Sequence, residues 1–180
     1  MQELTSILCE ATKAISTQYF QLPVADQENP IYRERVYCYE LYHHIRTLWP
    51  EDTPYSLGGE VDKSGHPLIR GSGLDRTKPN PLVHVQGDMD YNELVIEVKP
   101  INAELAGIKK DLQTLTAYRR KANYRRAILL VYGGPRGDFA RFRLNVRSIT
   151  TQDTNASIDL GLIEFWQHGT CGQAAARAGW

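Results

Sequence analysis

The sequence lacks several features that would define its class at once. Its 180 residues contain only three cysteines, Cys9, Cys38 and Cys171, and none belongs to a CxxC pair. This spacing argues against a disulfide framework and a structural zinc site, and it predicts a reducing, cytoplasmic location. No apolar run approaches the roughly 20 residues that a membrane helix needs. The first residues also lack the basic start and apolar core of a signal peptide. We therefore expect a cytoplasmic protein with no membrane partner.

The sequence also lacks net charge. Lysine and arginine together number 21, as do aspartate and glutamate. This balance argues against a uniformly polybasic binder of nucleic acid, although it permits a local basic patch. The length is sufficient for one domain with a buried core. With no internal repeat and no clear linker, we expect a single domain over residues 1–168 and a C-terminal tail over residues 169–180, frayed because it has little to bury.

What the sequence does contain is a regular alternation of helical and strand patterns. Apolar residues at helical spacing predict helices over residues 2–20, 31–49, 103–122 and 138–148. Short apolar or alternating runs predict strands over residues 56–62, 82–86, 94–99, 127–132 and 158–166. Two of these strands flank a polar turn and should form an antiparallel hairpin, followed by a helix and another buried strand. This order predicts an α/β fold with a mixed central sheet flanked by helices.

The second strand of the hairpin contains the main candidate site. Side chains alternate along a strand, so Glu97 and Lys99 share one face. Leu94, Ile96 and Val98 share the other face, which predicts burial on that side. Burying ionised groups costs free energy unless they are paired or bind something. Glu97 and Lys99 therefore form either a structural ion pair or part of a chemical site.

These residues resemble a known family. Glu97-Val98-Lys99, on a buried strand, resembles the (D/E)xK half-motif of the PD-(D/E)xK nuclease superfamily, and Lys78-Pro79-Asn80 stands where that superfamily places its Pro-Asp. The helix and apolar strand that follow are similar to its αβββαβ core, and the resemblance covers about residues 31–133. It implies a restriction-endonuclease-like fold and metal-dependent hydrolysis of DNA phosphodiesters, as in small bacterial members of the superfamily.

The resemblance also implies roles for individual residues. Glu97 would bind Mg²⁺ or Mn²⁺, since these ions prefer hard oxygen ligands. Lys99 would stabilise the phosphoryl oxygens by its charge. Asn80, which replaces the family aspartate, could offer only a neutral carbonyl oxygen. Further metal ligands would have to come from elsewhere: the candidates are Glu60 and Glu40, with Glu34, Asp62 and Asp75 as alternatives.

The replacement of the aspartate by Asn80 leaves two functions open. The chain is either a nuclease, weakened or inactive unless another carboxylate compensates, or a non-catalytic domain that binds nucleic acid or protein. A hairpin turn centred near residue 90 would place Val83 opposite Glu97, and Asn80 at the same end of the hairpin as Lys99 and Pro100. The same geometry puts Asp88 and Asp90 at the far end of the hairpin, where we interpret them as turn formers.

The sequence also suggests where nucleic acid would be bound. A cluster of basic residues could contact phosphates, although it could equally be the solvated end of a helix, where positive charge is favourable. Its members are Arg119, Arg120, Lys121, Arg125 and Arg126. The resemblance adds Gln113, on the helix after the motif, as a residue that reaches the site. The expected partner is DNA, and by analogy with small nucleases, which often pair, a homodimer is expected.

Overall fold

The computed structural model of the chain describes residues 2–59, 80–88, 90–134 and 136–180. The candidates Glu60, Asp62 and Asp75 lie outside the described residues. The helices are α1 (Gln2–Ala14), α2 (Thr17–Phe20), α3 (Glu34–Thr47), α4 (Leu105–Lys121) and α5 (Arg136–Thr151). The strands are β1 (Ser56–Gly58), β2 (Leu82–His84), β3 (Asn92–Pro100), β4 (Arg126–Tyr132), β5 (Glu164–His168) and β6 (Ala176–Ala178).

These strands form one mixed sheet in which each strand lies beside its neighbour in the sequence. The pairs β1–β2, β2–β3 and β5–β6 are antiparallel. The pairs β3–β4 and β4–β5 are parallel, and α4 and α5 provide the crossover connections that parallel neighbours require. The prediction of a mixed sheet with flanking helices is confirmed.

Two apolar layers cover the sheet, one on each face. The first layer contains α1, α2 and α3, where Leu41 packs with Ile96 and Val98 of β3. The second contains α4 and α5, where Leu112 packs with Val95 of β3. Alternate residues of β3 thus enter opposite layers, as predicted for a strand covered on both faces.

Several element boundaries differ from the predictions. The first predicted helix is divided into α1 and α2. The helix predicted from residue 31 begins at Glu34, because Ile31 pairs with Leu22 in an isolated bridge. The last predicted strand begins only at Glu164, because the Asp159 side chain accepts a hydrogen bond from Gly161 and starts a 3-10 helix over Leu160–Leu162.

The register of the hairpin also differs from the prediction. Val83 pairs with Leu94 rather than with Glu97, and the Ile96 N–H donates to the Pro81 carbonyl at 3.0 Å. The same register places Asn80 level with Glu97, at the end of the hairpin that also holds Lys99. The turn lies between His84 and Asn92, so its centre is near residue 88 and not near residue 90 as predicted.

The aspartates of that turn behave as predicted. The Asp88 carboxylate accepts a hydrogen bond from the Asp90 N–H at 2.9 Å. This bond is the usual way in which an aspartate side chain stabilises a turn. The interpretation of these two residues as turn formers is confirmed.

The C-terminal residues are not a frayed tail, and that prediction was wrong. β6 pairs with β5, and the ring of Trp180 stacks on Phe165 with a centroid separation of 4.7 Å. The indole N–H of Trp180 donates to the Ile163 carbonyl at 3.0 Å. An alanine-rich run gives little apolar pattern, so the sequence did not reveal an edge strand held by a terminal aromatic ring.

The state of the cysteines and the character of the helices complete the description of the fold. All three cysteines are free thiols. Within the described ranges, no helix combines the length and apolar character that crossing a bilayer requires.

Replacing Trp180 by alanine should lower the free energy of unfolding by about 1–3 kcal/mol, because both the stacking and the hydrogen bond are lost. The measurement is chemical denaturation followed by circular dichroism. Arg177→Ala is the control on the same segment, since this side chain is 68% exposed and should change the stability little. Equal stability of Trp180→Ala and wild type would mean that the contacts of Trp180 contribute nothing to the stability of the fold.

Candidate functional site

The Lys99 ammonium joins the two helical layers at one end of β3. Its Nζ lies 2.7 Å from Glu34 Oε2 and 3.0 Å from Asp111 Oδ2. Glu34 is the first residue of α3, and Asp111 lies in α4 on the other face of the sheet. Because Lys99 is near the end of the strand, its amine can reach acids from both layers.

Glu97 lies on the same face of β3 as Lys99 and is nearly buried, with 7% of its surface exposed. Burial raises the pKa of Glu97 well above its ordinary value. The negative charge of Asp111 raises this pKa further, and Glu34 adds a smaller increase. The positive charges of Lys99 and Lys110 oppose the shift without cancelling it.

Asp111 is only 6% exposed, and its carboxyl group is perturbed in the same direction. Burial is the main cause, and it raises the pKa of Asp111 to about 6 although Lys99 opposes the change. Glu34 raises it a little further. Asp111 and Glu97 therefore each hold a proton more tightly than an exposed carboxyl group does.

Lys99 remains charged despite its burial. Burial lowers the pKa of Lys99, but the contacts with Asp111 and Glu34 outweigh it, and the net shift is upward. We refer to Glu34, Glu97, Lys99 and Asp111 as the Lys99 cluster. Its three carboxyl groups exceed its one ammonium, so the cluster favours the uptake of protons or of a cation.

The chemistry of this donor set fits a divalent metal ion in part. Mg²⁺ takes hard oxygen ligands and commonly binds through one or two carboxylates with several waters. Glu97 and Asp111 meet that requirement, although Asp111 Oδ2 already lies 3.0 Å from the Lys99 ammonium. No group of three or more Asp, Glu, His or Cys side chains in the described ranges is arranged to hold an ion. The fit is thus to a partly hydrated ion and not to one enclosed by protein ligands.

The other predicted metal ligands lie apart from the Lys99 contacts. Asn80, although level with Glu97, lines a cavity of about 330 Å³ that also contacts Tyr39 and Tyr42. Glu40 lies 3.2 Å from His44, one turn further along α3. The acid that α3 contributes to the Lys99 cluster is therefore Glu34, which begins the helix.

The first part of the predicted basic cluster contacts the protein itself. Arg119 donates to the carbonyl groups of Tyr124 and Arg125, just beyond the end of α4. Arg120 forms an ion pair with Asp159 at 3.0 Å. Lys121 is the last residue of α4. The two arginines thus fasten the end of this helix to neighbouring segments.

The second part of the cluster is also paired. Arg126 binds Glu164 through two hydrogen bonds of 2.8 and 2.9 Å, in the bidentate geometry typical of strong pairs. Arg125 lies 3.5 Å from Glu93, and about half of its side chain is exposed. Arg126 is accordingly a structural residue that links β4 to β5.

Gln113 is directed away from the Lys99 cluster, since its amide donates to the Ser157 hydroxyl at 2.9 Å. The residue of α4 that enters the cluster is Asp111, which was not among the predicted site residues. A pattern could have revealed it, because Asp111 lies three residues after Ile108 and four before Leu115, both buried. That spacing puts it on the apolar stripe of the helix.

No family model, curated protein or solved structure matches this chain. A function must therefore be argued from the residues of the Lys99 cluster and their surroundings.

The raised pKa of Asp111 predicts a stability that falls with pH. The protonated carboxyl group favours the folded state, so its contribution is fully present below pH about 4 and is lost as the pH rises through about 6. Relative to Asp111→Asn, the wild type should lose up to about 3 kcal/mol over this range, since one pKa unit is about 1.4 kcal/mol. The measurement is urea denaturation of both proteins between pH 4 and 7 without divalent metal.

Asp153→Asn is the control with the opposite sign. The Ser157 hydroxyl donates to Asp153 at 2.8 Å and lowers the pKa of this exposed carboxyl group. The wild type should therefore lose stability relative to Asp153→Asn only as the pH falls below about 4, and the difference should change little between pH 4 and 7. A pH-independent difference between wild type and Asp111→Asn would show that Asp111 carries no excess proton affinity.

Proposed function

We propose that this chain is a nuclease-like domain of the PD-(D/E)xK type that acts on DNA phosphodiesters with a divalent metal ion. The observation that carries the proposal is the surplus of buried carboxyl groups around Lys99. The order α3, β1, β2, β3, α4, β4 supports it, because it follows the αβββαβ arrangement of that superfamily. The position of Glu97 and Lys99 on the middle strand also fits a site between two helical layers.

Glu97 and Asp111 are the residues that would hold Mg²⁺ or Mn²⁺. Asn80, level with Glu97 on the adjacent segment, could add a neutral carbonyl oxygen. The bound ion would activate a water molecule and neutralise charge that develops on the phosphate. Both carboxyl groups must lose their protons to act as ligands, so metal affinity should rise with pH.

Lys99 would contribute as a fixed positive charge. Its contacts with Glu34 and Asp111 keep the amine protonated, which suits stabilisation of phosphoryl oxygens and not proton abstraction. Glu34 would position the amine through its contact of 2.7 Å. DNA is the proposed partner, and Arg120 and Arg125 are the arginines of the basic cluster exposed enough to reach a phosphate. A homodimer, which would present two such sites to two strands, stays a prediction.

A second function is a non-catalytic domain that keeps this fold to bind nucleic acid or protein. Asn80 favours it, because the neutral amide removes a charge that the superfamily uses for metal. The two ion pairs of Lys99 favour it as well, since they could serve packing alone. In this case the Lys99 cluster would neither bind metal tightly nor support cleavage.

We expect the wild type to cleave plasmid or single-stranded DNA with Mn²⁺ or Mg²⁺. Glu97→Gln and Asp111→Asn should each lower the rate by about 100-fold or more, since a catalytic metal supplies several kcal/mol of stabilisation. Isothermal titration with Mn²⁺ should show weaker binding for both variants. Glu104→Gln is the matched control, an exposed carboxylate just before α4, and should behave like the wild type.

Two results would contradict the nuclease proposal. Cleavage at equal rates by wild type and Glu97→Gln would place the activity elsewhere. Absence of both cleavage and Mn²⁺ binding at millimolar metal would support the non-catalytic domain instead.

A further inference from the structure

A second acidic residue of β3 lines a separate cavity at the other end of the strand. Glu93 is only 3% exposed and borders a cavity of about 160 Å³. Trp49 and Tyr55 form part of its wall, and Glu3 and Arg125 contribute charged groups. None of these residues belongs to the Lys99 cluster.

A β-bulge directs Glu93 into this cavity. His84 pairs with Asn92 and Val83 pairs with Leu94, so Glu93 is an extra residue on β3. Bulges redirect side chains, and they are frequent beside functional sites. Glu93 borders its cavity together with Ile7 of α1, and it thus lies on the face of the sheet opposite to Glu97.

One oxygen of Glu93 has no protein partner. Its Oε2 lies 3.5 Å from Arg125 Nη1, whereas Oε1 is buried and forms no hydrogen bond to any described residue. An unsatisfied buried acceptor costs about 1–3 kcal/mol, and more when it is charged. Such a group in a folded protein calls for an explanation, for which a bound water or ion is a common one.

The walls of the cavity suit a positively charged organic group. The Trp49 indole N–H donates to the Tyr55 carbonyl at 3.1 Å, which fixes the segment that carries both rings. Aromatic faces attract ammonium and guanidinium groups, most strongly where water is excluded. Indole and phenol rings beside a carboxylate are the usual surroundings of a bound organic cation.

The charge balance also favours a monovalent cation. The cavity is bordered by two carboxylates, Glu3 and Glu93, and by one guanidinium, Arg125. The neighbouring Arg126 is matched by its bidentate pair with Glu164. One negative charge thus remains at the cavity, which a single ammonium or guanidinium would balance.

We propose that this cavity binds a monovalent organic cation, a guanidinium or an alkylammonium group, with Glu93 Oε1 as its counter-charge. The volume lies well below the roughly 300 Å³ at which pockets begin to hold drug-sized ligands. It suits a head group the size of a lysine or arginine side-chain end. The same chemistry is offered by a free amine and by a basic side chain of another protein.

The test is isothermal titration of the full chain with methylguanidinium and with n-butylammonium. Methylurea and 1-butanol are neutral analogues of similar shape and should bind at least tenfold more weakly. Glu93→Gln keeps the shape and removes the charge, so it should weaken cation binding by tenfold or more. Tighter binding of a Gly-Arg-Gly peptide than of methylguanidinium would indicate a basic side chain of another protein as the ligand. Tighter binding of methylguanidinium would indicate a free small molecule. Both results support the proposal.

The Arg125→Gln variant distinguishes a cation-binding role of Glu93 from a purely structural ion pair between Glu93 and Arg125. It removes the internal cation that competes for Glu93, so the affinity for methylguanidinium should rise several-fold. A purely structural role for the Glu93–Arg125 pair predicts no gain in binding. Circular dichroism of each variant verifies that the fold is intact.

Three outcomes would overturn the proposal. The first is equal binding of cations and neutral analogues by the wild type, which would mean a hydrated cavity only. The second is unchanged cation affinity in folded Glu93→Gln. The third is weaker cation binding in Arg125→Gln. This result would be decisive even if Glu93→Gln failed to fold. None of these outcomes depends on nuclease activity.

Discussion

The contact of the Lys99 ammonium with Glu34 and Asp111 is the constraint on which the rest of the site depends. β3 is buried on both faces, so any charge on it must be matched by groups from the helices. Lys99 meets this requirement at the end of the strand, where α3 and α4 both come within reach. Once its amine is fixed, Glu97 is left among like charges, and the proton affinity of the cluster follows.

The same contact suggests that the cluster is not arranged for stability alone. One acid would have been enough to balance one ammonium, and apolar packing is often as stable as a buried ion pair. The two buried carboxyl groups, Glu97 and Asp111, instead have raised pKa values, which cost stability at neutral pH. Local arrangements that cost stability are typical of functional sites, where activity limits how far a protein can be stabilised.

The sequence predicted those parts of the structure that local patterns determine. The long helix α4 and the apolar strand β4 were clear because their residues repeat at helical spacing or form a continuous apolar run. The hairpin register was missed, since a bulge at Glu93 is set by pairing with β2 and not by the residues of β3 alone. β6 was missed for a similar reason: it is defined by its pairing with β5 and by the distant contact of Trp180 with Phe165.

Local patterns also predicted only part of the candidate site. They identified Glu97 and Lys99, because alternation along a strand places both side chains on one face. Asp111 was not selected and Glu34 was only an alternative, because which acids approach an amine depends on the rotation of each helix about its axis. An error of one residue turns a helical side chain by about 100°, so an acid can change from solvent-facing to buried.

The bulge also explains how one strand can present two acidic residues to different surroundings. Glu93 and Glu97 are four residues apart, and a regular strand would place both on one face. Because of the extra residue, the Glu93 side chain lies on the opposite face of the sheet. Glu93 therefore borders the α1 layer, whereas Glu97 faces α4. The two carboxylates are thereby separated by the sheet itself.

In the proposed nuclease, Asp111 would offset the replacement of the superfamily's aspartate by Asn80. Asn80 carries no negative charge, and on its own this would weaken the binding of a divalent ion. Asp111 would supply a carboxylate from α4, the helix that Glu97 faces, and its charge is the largest influence on the pKa of Glu97 after burial. The proposed nuclease would thus have as many acidic metal ligands as the superfamily, but one of them would come from α4 instead of from the hairpin. A site assembled in this way depends on the packing of α4 against β3, which the Lys99 amine secures through the same Asp111.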